Sequence, residues 1–182
     1  MTDASRGADA TPEGTATHRR EAQALGALRV AVLTVSDSRT EATDESGPLA
    51  RRLLQEAGHE IVRHALLPND EPRVRATVRD WLAPGDLHAI VITGGTGLGS
   101  KDRTIEAVTP LFEKEIPGFG ELFRLLSYQE QIGTTAILSR AAAGSANGTV
   151  IVSLPGSSKA VELGLSRVLI PELRHLLREI RK

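Results

Sequence analysis

The chain contains no cysteine in its 182 residues, which excludes disulfides, thiolate metal sites and cysteine nucleophiles. It lacks any excess of charge of one sign, with 22 Lys and Arg against 23 Asp and Glu for a net charge of -1. Neither nucleic acid nor an anionic membrane is therefore expected as a partner. Long hydrophobic runs are missing too: the nearly apolar stretches are only strand-length, and no charged segment followed by an apolar one opens the chain. A cytoplasmic protein without a membrane span is the expectation. The five histidines, His18, His59, His64, His88 and His175, never fall at metal-ligand spacing and read as surface or packing residues. The C-terminal Arg174, Arg178, Arg181 and Lys182 read as a solvated helix face, and Glu113, Lys114 and Glu115 as surface charge. There is no internal repeat.

What is present is a hydrophobic fraction of 40%, enough at this length for one domain with a sizeable core. Residues 1–26 mix Thr, Ala, Gly, Asp and Arg without apolar periodicity and read as a disordered tail, leaving residues 27–182 as the domain. From there strands and helices alternate: strand 28–35, helix 46–57, strand 60–66, helix 71–82, strand 87–92 and helix 102–112. Ser46 with Pro48 makes a helix start and Gly58 a stop. A helical stretch 118–129 follows, then a hairpin with strands 139–143 and 149–154 about Ala146-Asn147-Gly148, and helices 158–166 and 168–180. This pattern predicts an α/β fold, a mostly parallel sheet with helices on both faces, in three layers, plus a small hairpin.

The segment 87–102 carries the most chemistry. Leu87 to Ile92 reads as an inner strand, after which Gly94, Gly95 and Gly97 let the backbone take positive φ and approach a ligand. Lys101 suits an anion, whereas Asp102 repels one unless a divalent cation lies between them, which favours a Mg-nucleotide or phosphate-transfer site. The bland alternative is a tight strand-to-helix connection. Neither standard nucleotide fingerprint fits: Ser100 separates Gly99 from Lys101, and it also stands where the dinucleotide pattern needs a third glycine. Two other buried strands end in polar residues, one in Ser36-Asp37-Ser38-Arg39 and one in Ser153-Leu154-Pro155-Gly156-Ser157-Ser158-Lys159. In open α/β sheets ligands bind beyond the carboxyl ends of strands, so the three ends converge on one crevice.

Over residues 28–177 the chain resembles the MoaB/Mog family of molybdenum cofactor biosynthesis. The resemblance rests on Thr34-Val-Ser-Asp-Ser-Arg39, Asp44-Glu-Ser-Gly47, Thr93-Gly-Gly-Thr-Gly97 with Asp102, Pro117-Gly-Phe-Gly-Glu-Leu-Phe-Arg124, Ala136-Ile-Leu-Ser-Arg140 and Leu154-Pro-Gly-Ser-Ser-Lys-Ala160, all in the family order. Phe119 to Ser127 and Lys159-Ala160 are more similar to the MoaB branch.

The resemblance implies adenylyl transfer from Mg-ATP to the terminal phosphate of molybdopterin, with release of pyrophosphate. A non-catalytic molybdopterin-binding or carrier protein of the same pathway is the alternative. By the same resemblance Asp102 holds Mg²⁺, and Thr93, Gly94, Gly95, Thr96 and Gly97 receive phosphate. Ser36, Asp37, Arg39, Ser46 and Gly47 flank them, with Ser139, Pro155, Gly156, Ser157, Ser158 and Lys159. Glu121 and Arg124, three apart on one helical face, are implied near the pterin. Arg140 stands between phosphate binding and a structural ion pair. A second metal-holding acid is implied directly after Pro68, where this chain has Asn69. Asp70 comes one residue late, and either reaches the metal or caps a helix from Glu71. The resemblance further implies a homotrimer or hexamer and other molybdenum cofactor biosynthesis proteins as partners. Ile116, Phe119, Leu122, Phe123 and Leu126 supply apolar surface that serves either a subunit contact or the chain's own core.

Overall fold

A computed structural model describes residues 25–182. The expectation of a disordered tail over 1–26 lies outside the described residues except for Leu25 and Gly26. The elements run β1 (Arg29–Val35), α1 (Ser46–Glu56), β2 (Glu60–Leu67), α2 (Glu71–Leu82), β3 (Ala89–Thr93), α3 (Thr104–Val108), β4 (Lys114–Glu115), α4 (Pro117–Ser127), β5 (Ala142–Ala146), β6 (Thr149–Leu154), α5 (Ser158–Leu163) and α6 (Ile170–Ile180). One sheet of six strands has the order β2-β1-β3-β6-β5-β4. The first four of these are parallel, and β5 and β4 extend the sheet in antiparallel sense.

Side-chain alternation on the inner strands builds two separate cores. Val30 and Val32 of β1, with Val150, Val152 and Leu154 of β6, face the layer of α1, α4, α5 and α6. Ala31, Leu33 and Val35, with Ile151, face α2 and α3 on the other side. β3 is buried along its whole length, as a strand covered on both faces must be. The expected three-layer α/β architecture is what is found. Helix α1 lays Ala50 and Leu54 on the sheet, both without exposure; truncating Leu54 to Ala would cost about 2–5 kcal/mol, the range for emptying such a site.

Several boundaries differ from the expectation. The helix expected over 102–112 is α3 alone, followed by a tight turn at Thr109–Leu111 where Pro110 offers no N–H to continue it. Strand β5 begins at Ala142, not 139, because Gly133–Leu138 coils into 3₁₀ turns and Ser139 and Arg140 remain loop. The hairpin turn is as expected: Asn147 and Gly148 both take positive φ, 48° and 69°, the geometry whose twist matches paired strands. Lys114 and Glu115, read as plain surface charge, are exposed but form the two-residue edge strand β4 against Gly144 and Ser145. The helices expected at 158–166 and 168–180 are one helical run, widened at Gly164–Leu169, where Gly164 abuts Leu154.

The apolar group in α4 divides between the two readings. Phe119 and Phe123 are buried in the first core, Ile116 and Leu126 pack partly buried against it, and only Leu122 is exposed, at 53%. Leu125 in the same helix is exposed as well, and so are Tyr128, Ile132, Leu138 and Ile137 just beyond it, the last 84% exposed. No helix among the described residues is long and apolar enough to cross a membrane.

Candidate functional site

The end of β3 is fixed by its two neighbours. Gly94 has φ 93° and Gly95 φ 62°; a Cβ at Gly94 would strike the Val35 carbonyl, and one at Gly95 would strike Asn69 and Thr104. The Gly94 N–H donates to the Leu154 carbonyl at 3.0 Å, and Thr104 N–H donates to the Gly95 carbonyl at 2.9 Å. Gly156 comes so close that its Cβ would lie 3.1 Å from Gly94 Cα. Glycine is therefore required here by position and by backbone conformation together.

Beyond this turn a cleft of about 490 Å³ opens at the carboxyl ends of β1, β3 and β6. Of the residues expected in it, Ser36, Asp37, Arg39, Ser46, Gly94, Gly95, Thr96, Gly97, Asp102, Ser139, Pro155 and Gly156 line it. Its remaining wall includes Ile132, Thr135 and Leu138, which the sequence did not single out, along with Asn69.

The loop after β1 is held by its own hydroxyl: Ser36 Oγ accepts from the N–H groups of Ser38 at 3.3 Å and Arg39 at 3.2 Å. Arg39 Nη1 donates to the Thr43 carbonyl at 2.6 Å. Asp37 Oδ1 accepts from Asn69 N–H at 2.8 Å. That bond, with a second from the Asn69 side chain, holds the Asp37 carboxyl below its ordinary range. Asp44, absent from the expected site, organises the start of α1: it accepts from Thr34 Oγ1 at 2.7 Å, from Ser46 N–H and Oγ at 3.0 Å, and from Gly47 N–H at 3.1 Å. Burial pushes the Asp44 carboxyl up, and these hydrogen bonds together outweigh it and leave it lowered. The Gly47 amide thus serves Asp44.

Asp70 does not line the cleft. It caps α2, accepting from Arg73 N–H at 3.0 Å on Oδ1, so of the two readings the capping role is the one its geometry displays. Asn69 faces the cleft, and its Oδ1 and the Thr104 Oγ1 beside it are buried without a hydrogen-bond partner among the described residues.

The other expected residues take separate places. Thr93 is buried and donates to the Pro155 carbonyl at 3.2 Å. Ser157 caps α5, accepting from Ala160 N–H at 3.2 Å, and Ser158 Oγ lies 3.4 Å from Glu45. Lys159 is outside the cleft lining, and its carbonyl accepts from Gln131 at 3.1 Å. Glu121 and Arg124 line a different hollow of about 210 Å³ over Phe112 and Ile116. Arg140 is engaged with protein groups, pairing with Glu106 at 2.7 Å.

The donor set suits a hard divalent cation shared with phosphate, which takes one or two carboxylates and keeps the rest of its sphere for substrate and water. Asp102 and Asp37 line the same cleft, and Asp102 carries one weak bond from Gly99 N–H at 3.2 Å. No group of three or more His, Cys, Asp or Glu side chains suited to a metal occurs among the described residues.

Residues 31–175 match the family described as a probable molybdopterin binding domain. The chain is 47% identical over 165 residues to molybdenum cofactor biosynthesis protein B of Bacillus subtilis, covering 91% of this chain and 96% of that protein. With the protein of the same description from Staphylococcus carnosus it shares 50% identity over 157 residues, 85% and 92% of the respective lengths. A crystal structure of molybdenum cofactor biosynthesis protein B matches with a TM-score of 0.82 at 43% identity, covering 85% of this chain and 96% of that one. The tungsten cofactor synthesizing protein MoaB from Pyrococcus furiosus matches with a TM-score of 0.77 at 37% identity, over 86% and 98%.

Proposed function

The chain belongs to the molybdopterin-binding family of molybdenum cofactor biosynthesis proteins, and on that footing we propose that it adenylylates molybdopterin. A terminal phosphate oxygen of molybdopterin attacks the α-phosphorus of ATP, the bond to the bridging oxygen of the β-phosphate breaks, and pyrophosphate leaves. The observation that carries this reading is the cleft itself, where the positive-φ turn at Gly94 and Gly95 meets two carboxylates and a row of hydroxyls at three strand ends. Phosphoryl chemistry of this kind asks for positioning and charge stabilisation more than covalent help.

Because Gly94 N–H is taken by Leu154, phosphate falls to the amides from Gly95 to Gly97, to Thr96 and to Ser36 and Ser139. Arg39 supplies positive charge at the rim, and Pro155-Gly156 forms the opposite wall. Mg²⁺, when bound, supplies neutralisation of the phosphate oxygens, with Asp102 holding it and Asp37 facing it.

Incubating the pure protein with molybdopterin, ATP and Mg²⁺ tests the reading, with adenylylated molybdopterin and pyrophosphate as the expected products. Binding of molybdopterin without product would instead establish the carrier reading, which the presence of Asn69 in the cleft, where the resemblance implies an acid, favours. The exposed Leu125, Tyr128 and Ile137 support assembly as a homotrimer or dimer of trimers.

A further inference from the structure

The loop from Thr96 to Asp102 is open in its middle and held at its ends. Gly97, Leu98, Gly99, Ser100 and Lys101 are all exposed, whereas Thr96 is buried and Asp102 half-buried. Both ends are bonded to one side chain. Arg140 Nε donates to the Thr96 carbonyl at 2.9 Å, and Arg140 Nη2 donates to the Asp102 carbonyl at 3.2 Å. The rest of the guanidinium is taken by Glu106 of α3, from Nη1 to Oε1 at 2.7 Å and from Nη2 to Oε2 at 3.2 Å.

We infer that Arg140 is a positioning residue, a clasp that fixes the glycine loop and the Asp102 carboxylate for transfer, and that it does not itself touch phosphate. Its donors are turned to two carbonyls and a carboxylate, and the guanidinium is absent from the cleft lining although its neighbour Ser139 is in it. The planar fork is what the task requires, since one rigid group must span three acceptors at fixed angles, and a lysine ammonium cannot. Glu106 holds the fork in orientation by a bidentate, charge-assisted pair. Arg140 also ties the 133–139 segment, which brings Thr135, Leu138 and Ser139 to the cleft, to the glycine turn through Thr96 and to α3 through Glu106. The effect of Arg140 on transfer rests on the adenylyltransferase reading; its hold on the loop does not.

Glu106 provides the discriminating test. It is outside the cleft, so if Arg140 is a clasp, Glu106→Ala should reproduce the loss seen in Arg140→Ala. Both variants should lower kcat by roughly 10–100-fold, the scale of an ångström-level misplacement, and weaken the apparent Mg²⁺ affinity while the KM for ATP stays within about three-fold. The double variant should lose no more than the worse single one, because both act through one contact. Arg140→Lys should fail to rescue. Amide hydrogen exchange at 97–102 should accelerate in each variant, a readout independent of any chemistry: a wild-type protein that shows no transfer would overturn the proposed function, and the exchange data would still decide the clasp. Should Arg140→Ala fail to fold, Glu106→Ala and Arg140→Lys carry the test. The inference is overturned if Glu106→Ala leaves transfer and exchange at wild-type levels, or if it tightens Mg-pyrophosphate binding by calorimetry while Arg140→Lys weakens it, since that pattern marks a phosphate ligand released from its partner.

Discussion

Asn69 and Asp37 meet in the lining of the cleft: the Asn69 backbone N–H donates to Asp37 Oδ1 at 2.8 Å, and the Asn69 side-chain amide helps to lower the Asp37 carboxyl from its ordinary range. The side-chain amide thus favours the Asp37 carboxylate as a donor, with its oxygen turned inward to Gly95 and Thr104. Asn69→Asp replaces that donor with a second carboxylate, and two carboxylates in contact hold a proton above the usual range. Adding Mg²⁺ to this variant near pH 5 should release protons that the wild-type protein does not release, followed with a pH indicator in weak buffer. An absence of release would mean that the two side chains do not share a site.

Asp102→Asn should fold normally, because the amide oxygen can still accept from Gly99 N–H. Transfer should fall by about 10²-fold or more, the scale for losing one aligned charge-stabilising group. Steady-state assays over a Mg²⁺ series check this, and unchanged turnover would remove Asp102 from the mechanism.

Asp70→Ala is expected to behave as the loss of a helix cap. Without the bond to Arg73 N–H the protein should lose about 1 kcal/mol of stability, measured by urea denaturation, with transfer kept within about two-fold. Abolished transfer in a folded variant would restore Asp70 as a metal-holding acid.

His59 is buried with neither ring nitrogen hydrogen-bonded among the described residues. Burial, aided by the nearby Arg174 and His88, pushes its pKa down to about 4. In the unfolded chain the ring binds a proton below its ordinary 6.5, whereas the folded protein resists until about 4. Stability must therefore fall as pH drops between those values. His59→Leu should flatten that slope in thermal denaturation followed from pH 7 to 4, and an unchanged slope would exonerate the residue.

Light scattering at micromolar concentration should give a trimer or hexamer mass. Ile137→Arg combined with Leu125→Arg should yield monomers, since both residues are exposed in the single chain and their charge would be buried in the assembly. A monomeric wild-type protein would overturn the assembly proposal.

The inner strands and the cleft were legible in the sequence because their signals are local. β1, β3 and β6 are short, largely apolar stretches with Arg29 their one charged residue, and each leads into glycine or hydroxyl residues that a buried strand has no use for. Other features depend on neighbours far along the chain. A two-residue strand such as β4 has no periodicity, and it exists because Lys114 and Glu115 find Ser145 and Gly144. Whether a guanidinium meets phosphate or carboxylate is equally invisible, and for Arg140 the answer lies 34 residues away at Glu106. Asn69 and Asp70 are adjacent and both polar, so only the backbone direction at the start of α2 decides which one faces the cleft.

The parallel pairing of β3 with β6 imposes an order of assembly. Ala89 meets Val150 only after the intervening chain has been made, and such distant pairings close slowly. During synthesis the glycine turn and Asp102 emerge before β6 and the loop after it, which bring Leu154 and Gly156 against Gly94. A nascent chain that has not yet reached β6 therefore carries the acid and the glycines but lacks the part of the cleft lining that Pro155 and Gly156 add, so the cleft is among the last features to be completed.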